Sequence, residues 1–343
     1  MFKLKKIYSC IILMIFSAFV FSGCKVEPIS KDGIFLGTIC KITVFDKASP
    51  EILDKAYTRV SNIENEMTIN KKSSEVININ SASGSKYINV SDDTFNVIKK
   101  SLYYSNMSHG KFDISIGSID KLWNIGTDKA RIPSQNEINS KLPLVNYNNI
   151  LTNDKDKSVM LKNNGMLIDL GAIAKGYAAD EVKKLLKNNG IKNAIINLGG
   201  NIITMGNKSN GDNWVIGVQD PFDAHGNYMG KVKLLEKSIV TSGIYERFFE
   251  KNGKRYHHIL DTKTGYPVDN SLVSVSIIAD KSIDADGLST TTFSLGLNEG
   301  LKLIESLKGT EAIFVTKNHE VYVSSGLKDN FEITNSNFKL KHY

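Results

Sequence analysis

At 343 residues, 41% of them hydrophobic, the chain has enough apolar side chains for one large core or two lobes. Its formal charge of +7 falls to +4 once Lys3, Lys5 and Lys6 are set aside with the N-terminal leader, a mild excess that gives no ground for a nucleic-acid partner. Of the three cysteines, Cys10 lies in that leader and Cys24 at its end, so Cys40 stands alone and an intramolecular disulfide is excluded from the exported part.

Lys3, Lys5 and Lys6 form a basic n-region, residues 7–21 are almost unbroken apolar sequence, and Ser22-Gly23 places small residues before Cys24. This is the layout of a secretory signal peptide over residues 1–23. The cysteine after Ser-Gly resembles the cleavage and lipidation site of bacterial lipoproteins, with Phe21 an unusual occupant of its first position. The other arrangement is an uncleaved single-span anchor. Both place the globular part outside the cytoplasm, tethered to a membrane. Residues 24–33, polar over KVEPISKD, are expected to link the lipid anchor to a domain spanning 34–343.

The domain begins with a strand pattern over residues 34–45, where Ile39 and Ile42 flank Cys40 and favour a buried, structural thiol. Residues 50–67 carry Ile52, Leu53, Ala56, Val60 and Ile63 at helical spacing. A loop over 68–74 leads into the short segment EVININ. Ser91 opens a second helix with Asp92 and Asp93 in its first turn, and Gly110 stops it. Residues 111–119 are expected as loop, followed by irregular chain around a helix near Ser134. Strands near Ile150 and Val159 and a turn at Asn163-Asn164-Gly165 follow.

Residues 169–180, DLGAIAKGYAAD, follow the apolar Met166-Leu167-Ile168 and run into a helical pattern that ends at Asn188-Asn189-Gly190. That reads as a strand end, a glycine-bearing turn and a helix N-terminus, whose free N–H groups and partial positive charge favour anions. Lys175 has the wrong sign for the first turn unless an anion sits nearby, so the stretch suits a phosphate cradle as well as plain packing. It matches neither Walker A nor the Rossmann glycine pattern. Strands are expected at 194–198, 214–218, 232–235, 239–241 and 272–279, a hairpin turn at Asn252-Gly253, and helices at 283–295 and 301–307. Short strands around Ile313 and Val321 close the chain. Strands outnumber helices and pair mainly as hairpins, so the class is α+β.

Three further features carry polar chemistry. Phe112 beside Asp113 couples a flat ring to a carboxylate, as a heteroaromatic ligand needs, although a core phenylalanine beside a turn aspartate is the commoner arrangement. His257 and His258 are adjacent on a strand, so only one can face a given site, which argues against a two-histidine zinc centre. One imidazole is suited to general-base work near neutral pH or to a structural hydrogen bond. Asp286 and Thr290 are four apart at a helix start and share one face, offering hard oxygens to magnesium or simple helix caps. No Gly-x-Ser-x-Gly elbow is present.

In order along the chain, GKFDISIGSIDKLW, DLGAIAKGYAAD, NLGGNI, TSGIYERFF, HHILDTKTGYPV and DADGLSTTTF resemble the successive signatures of the ApbE family of flavin transferases. The resemblance extends from about Leu36 to the last strands. It implies an α+β fold with mixed and antiparallel sheets, flanking helices and two lobes around a central FAD cleft. It also implies magnesium-dependent transfer of FMN from FAD to a serine or threonine hydroxyl of a target protein, with release of AMP. Asp286 and Thr290 would then hold Mg2+ through side chains and Ala172 through its carbonyl. Leu36, Asn70, Lys111, Phe112, Asp113, Asp169, Lys175 and the backbone near Leu260 would contact FAD, and His258 would be the catalytic base. Acceptors are implied among membrane or extracellular redox proteins, with Cys24 as the lipid attachment.

Two positions depart from the family pattern. Thr262 stands where HIIDP usually ends in proline. Asn70, counted back from Ser74-Glu75, replaces a usual tyrosine or tryptophan, leaving less cover over the ligand, and family members that hydrolyse FAD to FMN and AMP resemble this chain there. The alternatives to transfer are therefore an FAD pyrophosphatase and a non-catalytic FAD-binding lipoprotein.

Overall fold

The computed structural model describes residues 27–223 and 226–341; the signal peptide and Cys24 lie outside the described residues. Strands β1 (Ile29–Phe35) and β2 (Thr38–Val44) form an antiparallel hairpin. β1 therefore starts inside the polar segment that reads as linker. The break expected nowhere in residues 34–45 is a two-residue turn, Leu36-Gly37, with φ of 54° and 71°. Helix α1 (Glu51–Met67) follows, then α2 (Glu75–Ser81), β3 (Ile88–Asn89) and α3 (Asp92–Met107). The Ser91 hydroxyl caps α3 by accepting from the Thr94 N–H. The 111–119 loop is shorter than expected, because α4 (Gly117–Trp123) begins within it. Ser134 and Glu137 make a full capping box on α5 (Gln135–Lys141). β4 (Ile150–Asn153) and β5 (Ser158–Leu161) follow, and β5 pairs with both β3 and β4 in a small three-stranded sheet.

Met166-Leu167-Ile168 is not a strand; it makes one isolated parallel bridge, Ile116 to Leu167. Helix α6 (Ala174–Asn188) precedes a run of strands: β6 (Ala194–Leu198), β7 (Asn201–Met205), β8 (Trp214–Gln219), β9 (Tyr228–Leu234) and β10 (Ser238–Gly243). The hairpin β11 (Phe248–Lys251) and β12 (Lys254–His257) turns at Asn252-Gly253. β13 (Leu272–Ala279), α7 (Ser282–Leu295), α8 (Leu297–Glu305), β14 (Glu311–Thr316), β15 (Glu320–Val323), β16 (Phe331–Ile333) and β17 (Lys339–Lys341) complete the fold.

The main sheet has nine strands in the order β1-β2-β6-β7-β10-β13-β14-β15-β17, antiparallel except for β15 with β17. The class is α+β. Every residue of β13 is buried, because helices cover one face of the sheet and the three-stranded β16-β9-β8 sheet covers the other. A register shift between Leu272 and Ser274 alters which residues face each way: Val273 and Ile278 join the core beneath the small sheet, Val275 and Ile277 the core beneath the helices. Cys40 is fully buried in the helix-side core.

α7 is buried nearly all round despite its serines and threonines. Ser289, Thr291 and Thr292 return their hydroxyls to the carbonyls of Asp286, Gly287 and Leu288, so these three are satisfied within the helix, whereas the buried hydroxyls of Ser282 and Ser294 have no partner. α6 and α7 are fastened by exchanged caps. Asp180 of α6 accepts from the Ser282 and Ile283 N–H groups at 2.8 and 2.9 Å, and Asp286 of α7 accepts from the Gly176 N–H at 2.7 Å. Neither helix has a side-chain cap from its own N-cap residue. Asp180→Ala is expected to cost about 1–2 kcal/mol of stability, with Asp180→Asn losing less because it keeps one acceptor oxygen; urea unfolding of the two variants checks this.

Candidate active site

The α6–α7 junction opens into a cleft of about 630 Å³ lined by Asn70, Lys111, Phe112, Asp113, Asp169, Ala172, Lys175, His258, Leu260, Asp286 and Thr290. Every candidate site residue within the described part of the chain is thus in one place, except Leu36. Leu36 lines an adjoining cleft that shares Asn70, Asp169 and Lys175 with the first. Cys24 lies outside the described residues.

The cleft floor is the N-terminal turn of α6. Lys175 stands in a first turn without acidic residues. The anion it attends within the chain is the carboxylate of Asp286, 4% exposed. Burial raises the Asp286 pKa, while Lys175, the Gly176 N–H, Asn201 and Arg247 each pull it down. Glu246 behaves alike, raised by burial and lowered by Lys175 and Arg247. Gly176 is required where the helices meet, since a Cβ there would lie 2.3 Å from the Ser282 carbonyl oxygen and 2.7 Å from Asp286 Cβ.

The two histidines separate as strand geometry demands. His257 is buried, its Nε2 donating to the Val268 carbonyl at 3.0 Å and its Nδ1 accepting from the Ile259 N–H. His258 faces the cleft. Its Nδ1 lies 3.2 Å from the Arg247 carbonyl oxygen, which can only accept, so Nδ1 carries the proton and Nε2 is left basic. Burial, then the Arg247 charge, pushes the His258 pKa well below the usual 6.5. A base held this way stays neutral as pH falls, so the acid limb of kcat/KM against pH is expected below 6.5; a limb at or above that value would show that His258 is not the titrating base.

The remaining contacts are partly committed to the protein. Phe112 is 2% exposed and packs edge-on to Tyr104, so its ring is core and only its edge of the loop lines the cleft. Asp113 takes the Ser115 N–H and hydroxyl on one oxygen and the Tyr147 N–H on the other, which makes it a clamp for the loop. Lys111 is paired with Asp261 at 2.9 Å. Asp169 caps the turn through the Gly171 N–H at 2.8 Å. Thr262, in the place of the usual proline, donates to the Gly110 carbonyl and ties the histidine strand's loop to the Lys111 loop.

Asp120, Glu246 and Arg247 also line the cleft, without a role in the sequence reading. Burial and the nearby Asp169 push the Asp120 carboxyl well above its usual range, which makes it a candidate hydrogen-bond donor. TSGIYERFF held the signal for Glu246 and Arg247, but strand periodicity does not reveal which charged residues turn inward. Asp120 falls just past the 111–119 loop, in residues to which the sequence pattern assigns no element, which hid its place on α4.

Among the described residues no group of three or more His, Cys, Asp and Glu stands together as a metal cluster. The donors present suit a hard ion with few protein ligands: the buried Asp286 carboxylate, the Thr290 hydroxyl near Ser242 Oγ, and the Ala172 carbonyl at the cleft wall. The side chain of Asn201, fully buried, has no hydrogen-bond partner on either polar atom. Such an orphan beside Asp286 fits a site whose polar groups are completed by a bound ion.

A cleft that joins a helix N-terminus, a lysine, the buried Asp286 carboxylate and a neutral histidine has the groups an enzyme acting on phosphate esters needs. The family model of the ApbE family matches residues 36–314. An FAD:protein FMN transferase of Klebsiella pneumoniae is 35% identical over 313 residues, covering 91% of this chain and 96% of the relative. One of Treponema pallidum is 32% identical over 335 residues, covering 92% of each. The crystal structure of the ApbE protein of Thermotoga maritima superposes with a TM-score of 0.81 at 32% identity, covering 88% of this chain and 98% of that one. The chain belongs to the ApbE family and is a transferase.

Leu36 is a leucine at φ 54° in the turn that lines the adjoining cleft. Left-handed backbone costs a branched side chain roughly 1–2 kcal/mol, and two-residue turns of this kind favour Asn-Gly. Leu36→Asn is expected to stabilise the protein while weakening FAD binding, read by thermal melting and by flavin fluorescence titration. Unchanged affinity would remove Leu36 from the ligand site.

Proposed function

We propose that this protein is an FAD:protein FMN transferase, anchored by lipid at Cys24 outside the cytoplasm. The observation that carries the activity is the convergence of Lys175, Ala172, Asp286, Thr290 and His258 on one cleft from three distant stretches of chain. The location rests on the basic and apolar leader before Cys24.

Asp286, Thr290 and the Ala172 carbonyl would hold Mg2+. When bound, the ion supplies charge neutralisation at the phosphoryl oxygens. Lys175 and the N-terminal turn of α6 add positive potential where the transferred phosphoryl group carries negative charge. His258 Nε2 takes the proton from a serine or threonine hydroxyl of the acceptor. The hydroxyl oxygen forms a bond to the FMN phosphorus, the bridging P–O bond breaks, and AMP departs with the electron pair.

Hydrolysis is favoured as a second reading by one observation: Asn70 is exposed and lines both clefts. A small polar residue there leaves the ligand open to water. Incubation of the full chain with FAD and Mg2+, with and without proteins of its own membrane fraction, separates the readings. Covalent FMN fluorescence in denaturing gels together with acceptor-dependent AMP supports transfer. AMP released without acceptor supports hydrolysis, and absence of AMP in both supports a flavin carrier. His258→Ala is expected to lower either activity by at least about 100-fold while FAD still binds; normal turnover would reject the base assignment.

A further inference from the structure

Asn201 opens β7 directly after Gly199 and Gly200, whose φ values of 62° and 91° turn the chain back from β6. It pairs with Leu198 across that hairpin, so its place in the sheet is fixed. The strand packs against both α6 and α7, the helices whose N-terminal turns meet at the cleft. Its side chain is fully buried, yet neither the amide nitrogen nor the carbonyl oxygen has a partner. Folding alone does not favour such a residue, because an unpaired buried amide is a net cost that an apolar side chain of similar size avoids. Nearby core positions on the same two strands, Leu198 and Ile203, are apolar.

The neighbour that gives the amide a purpose is Asp286. That carboxylate gives one oxygen to the Gly176 N–H at 2.7 Å, which leaves the other free to act as a ligand. The Asn201 side chain lies within reach of the same carboxyl, but no hydrogen bond of full geometry joins them. The polar surroundings of Asp286 are therefore poised and only half closed.

We propose that Asn201 is a positioning residue for the divalent cation, its amide closing onto the Asp286 carboxylate when the ion is bound and fixing the free oxygen toward Thr290 and Ala172. The inference rests on the divalent-ion reading above. Groups that orient a ligating carboxylate set how well it binds, and their loss generally costs affinity rather than fold. Here the cost and the benefit fall on different states. The ion-free protein carries the unpaired amide, and the ion-bound protein uses it.

The two roles a buried asparagine can have give opposite results in Asn201→Leu. The full-length variant is expected to melt at the same temperature as the unchanged chain or about 2 °C or more above it without divalent ions. Its affinity for Mn2+, measured by electron paramagnetic resonance at fixed pH, is expected to fall at least about ten-fold. Asn201→Ser, which keeps one hydroxyl and is smaller, is expected to lie between the two in Mn2+ affinity and carries the test if the leucine variant does not fold. FAD binding without divalent ion should be unchanged in both. Unchanged Mn2+ affinity in the variants overturns the inference, as does a lower melting temperature with full Mn2+ binding, the mark of a purely structural residue. If the unchanged chain binds no Mn2+, the divalent-ion reading itself fails, a result distinct from a failure of Asn201 alone.

Discussion

Two carboxylates, each carried by one helix and spent on the start of the other, hold the centre of this protein. Asp180 of α6 satisfies the first N–H groups of α7, and Asp286 of α7 satisfies the Gly176 N–H of α6. The exchange fixes both position and direction, because each acceptor must reach a terminus on the neighbouring helix. Gly176 lets the axes approach until a methyl group would not fit between them. Residues more than a hundred positions apart, Ala172 and Lys175 on one side and Asp286 and Thr290 on the other, are brought to one cleft wall by that approach.

The arrangement is bought with electrostatic tension that serves the chemistry. Burial pushes the Asp180 pKa up to about 6 and raises that of Asp286, so neither carboxylate is at ease. For Asp180 the sign is clear: the folded state binds the proton more tightly than the unfolded chain, so this group withdraws stability as pH rises from 3.8 through about 6. A helix N-terminus already occupied by a protein carboxylate would be a poor phosphate site if that were all it held. Lys175 and Arg247 change the balance, since they add positive charge where an extra anion would come to rest. His258 feels the same field from the other side. The surrounding cations and its burial keep it neutral, which is the state in which it can accept a proton.

The parts of the fold with local signals were legible in the chain. α1 follows its apolar spacing, α3 and α5 start at Ser91 and Ser134 as caps require, and the β11–β12 hairpin turns on Asn252-Gly253. What stayed hidden was decided at a distance. β1 is a polar edge strand with no buried face to announce it, and its turn uses a leucine where the backbone favours asparagine. Met166-Leu167-Ile168 has strand composition, but no neighbouring strand lies alongside to continue a ladder beyond one bridge. In the site, the ordered motifs supply residues that line one cleft, and the opposite facing of His257 and His258 followed from extended-chain geometry alone. The exchanged caps were not readable, because Asp180 and Asp286 look like ordinary helix carboxylates until the two helices are placed together.

The floor of the cleft and its rim answer to different constraints. On the proposed mechanism the floor, made by α6, α7 and the chain just after β12 that carries His258, would neutralise a phosphate and receive a proton, and it would treat water and an acceptor hydroxyl alike. Discrimination between those nucleophiles must therefore come from the rim. There the Leu36-Gly37 turn and the loop carrying Asn70 meet where the two clefts join, with Leu36 and Ile69 seated on the main core and the Asn70 side chain left exposed. A large aromatic at position 70 would bury flavin surface and exclude solvent at once; asparagine does neither. On the proposed mechanism transfer and hydrolysis would share one catalytic apparatus, and exposed rim side chains such as Asn70 would set the balance between them while leaving the helix junction untouched.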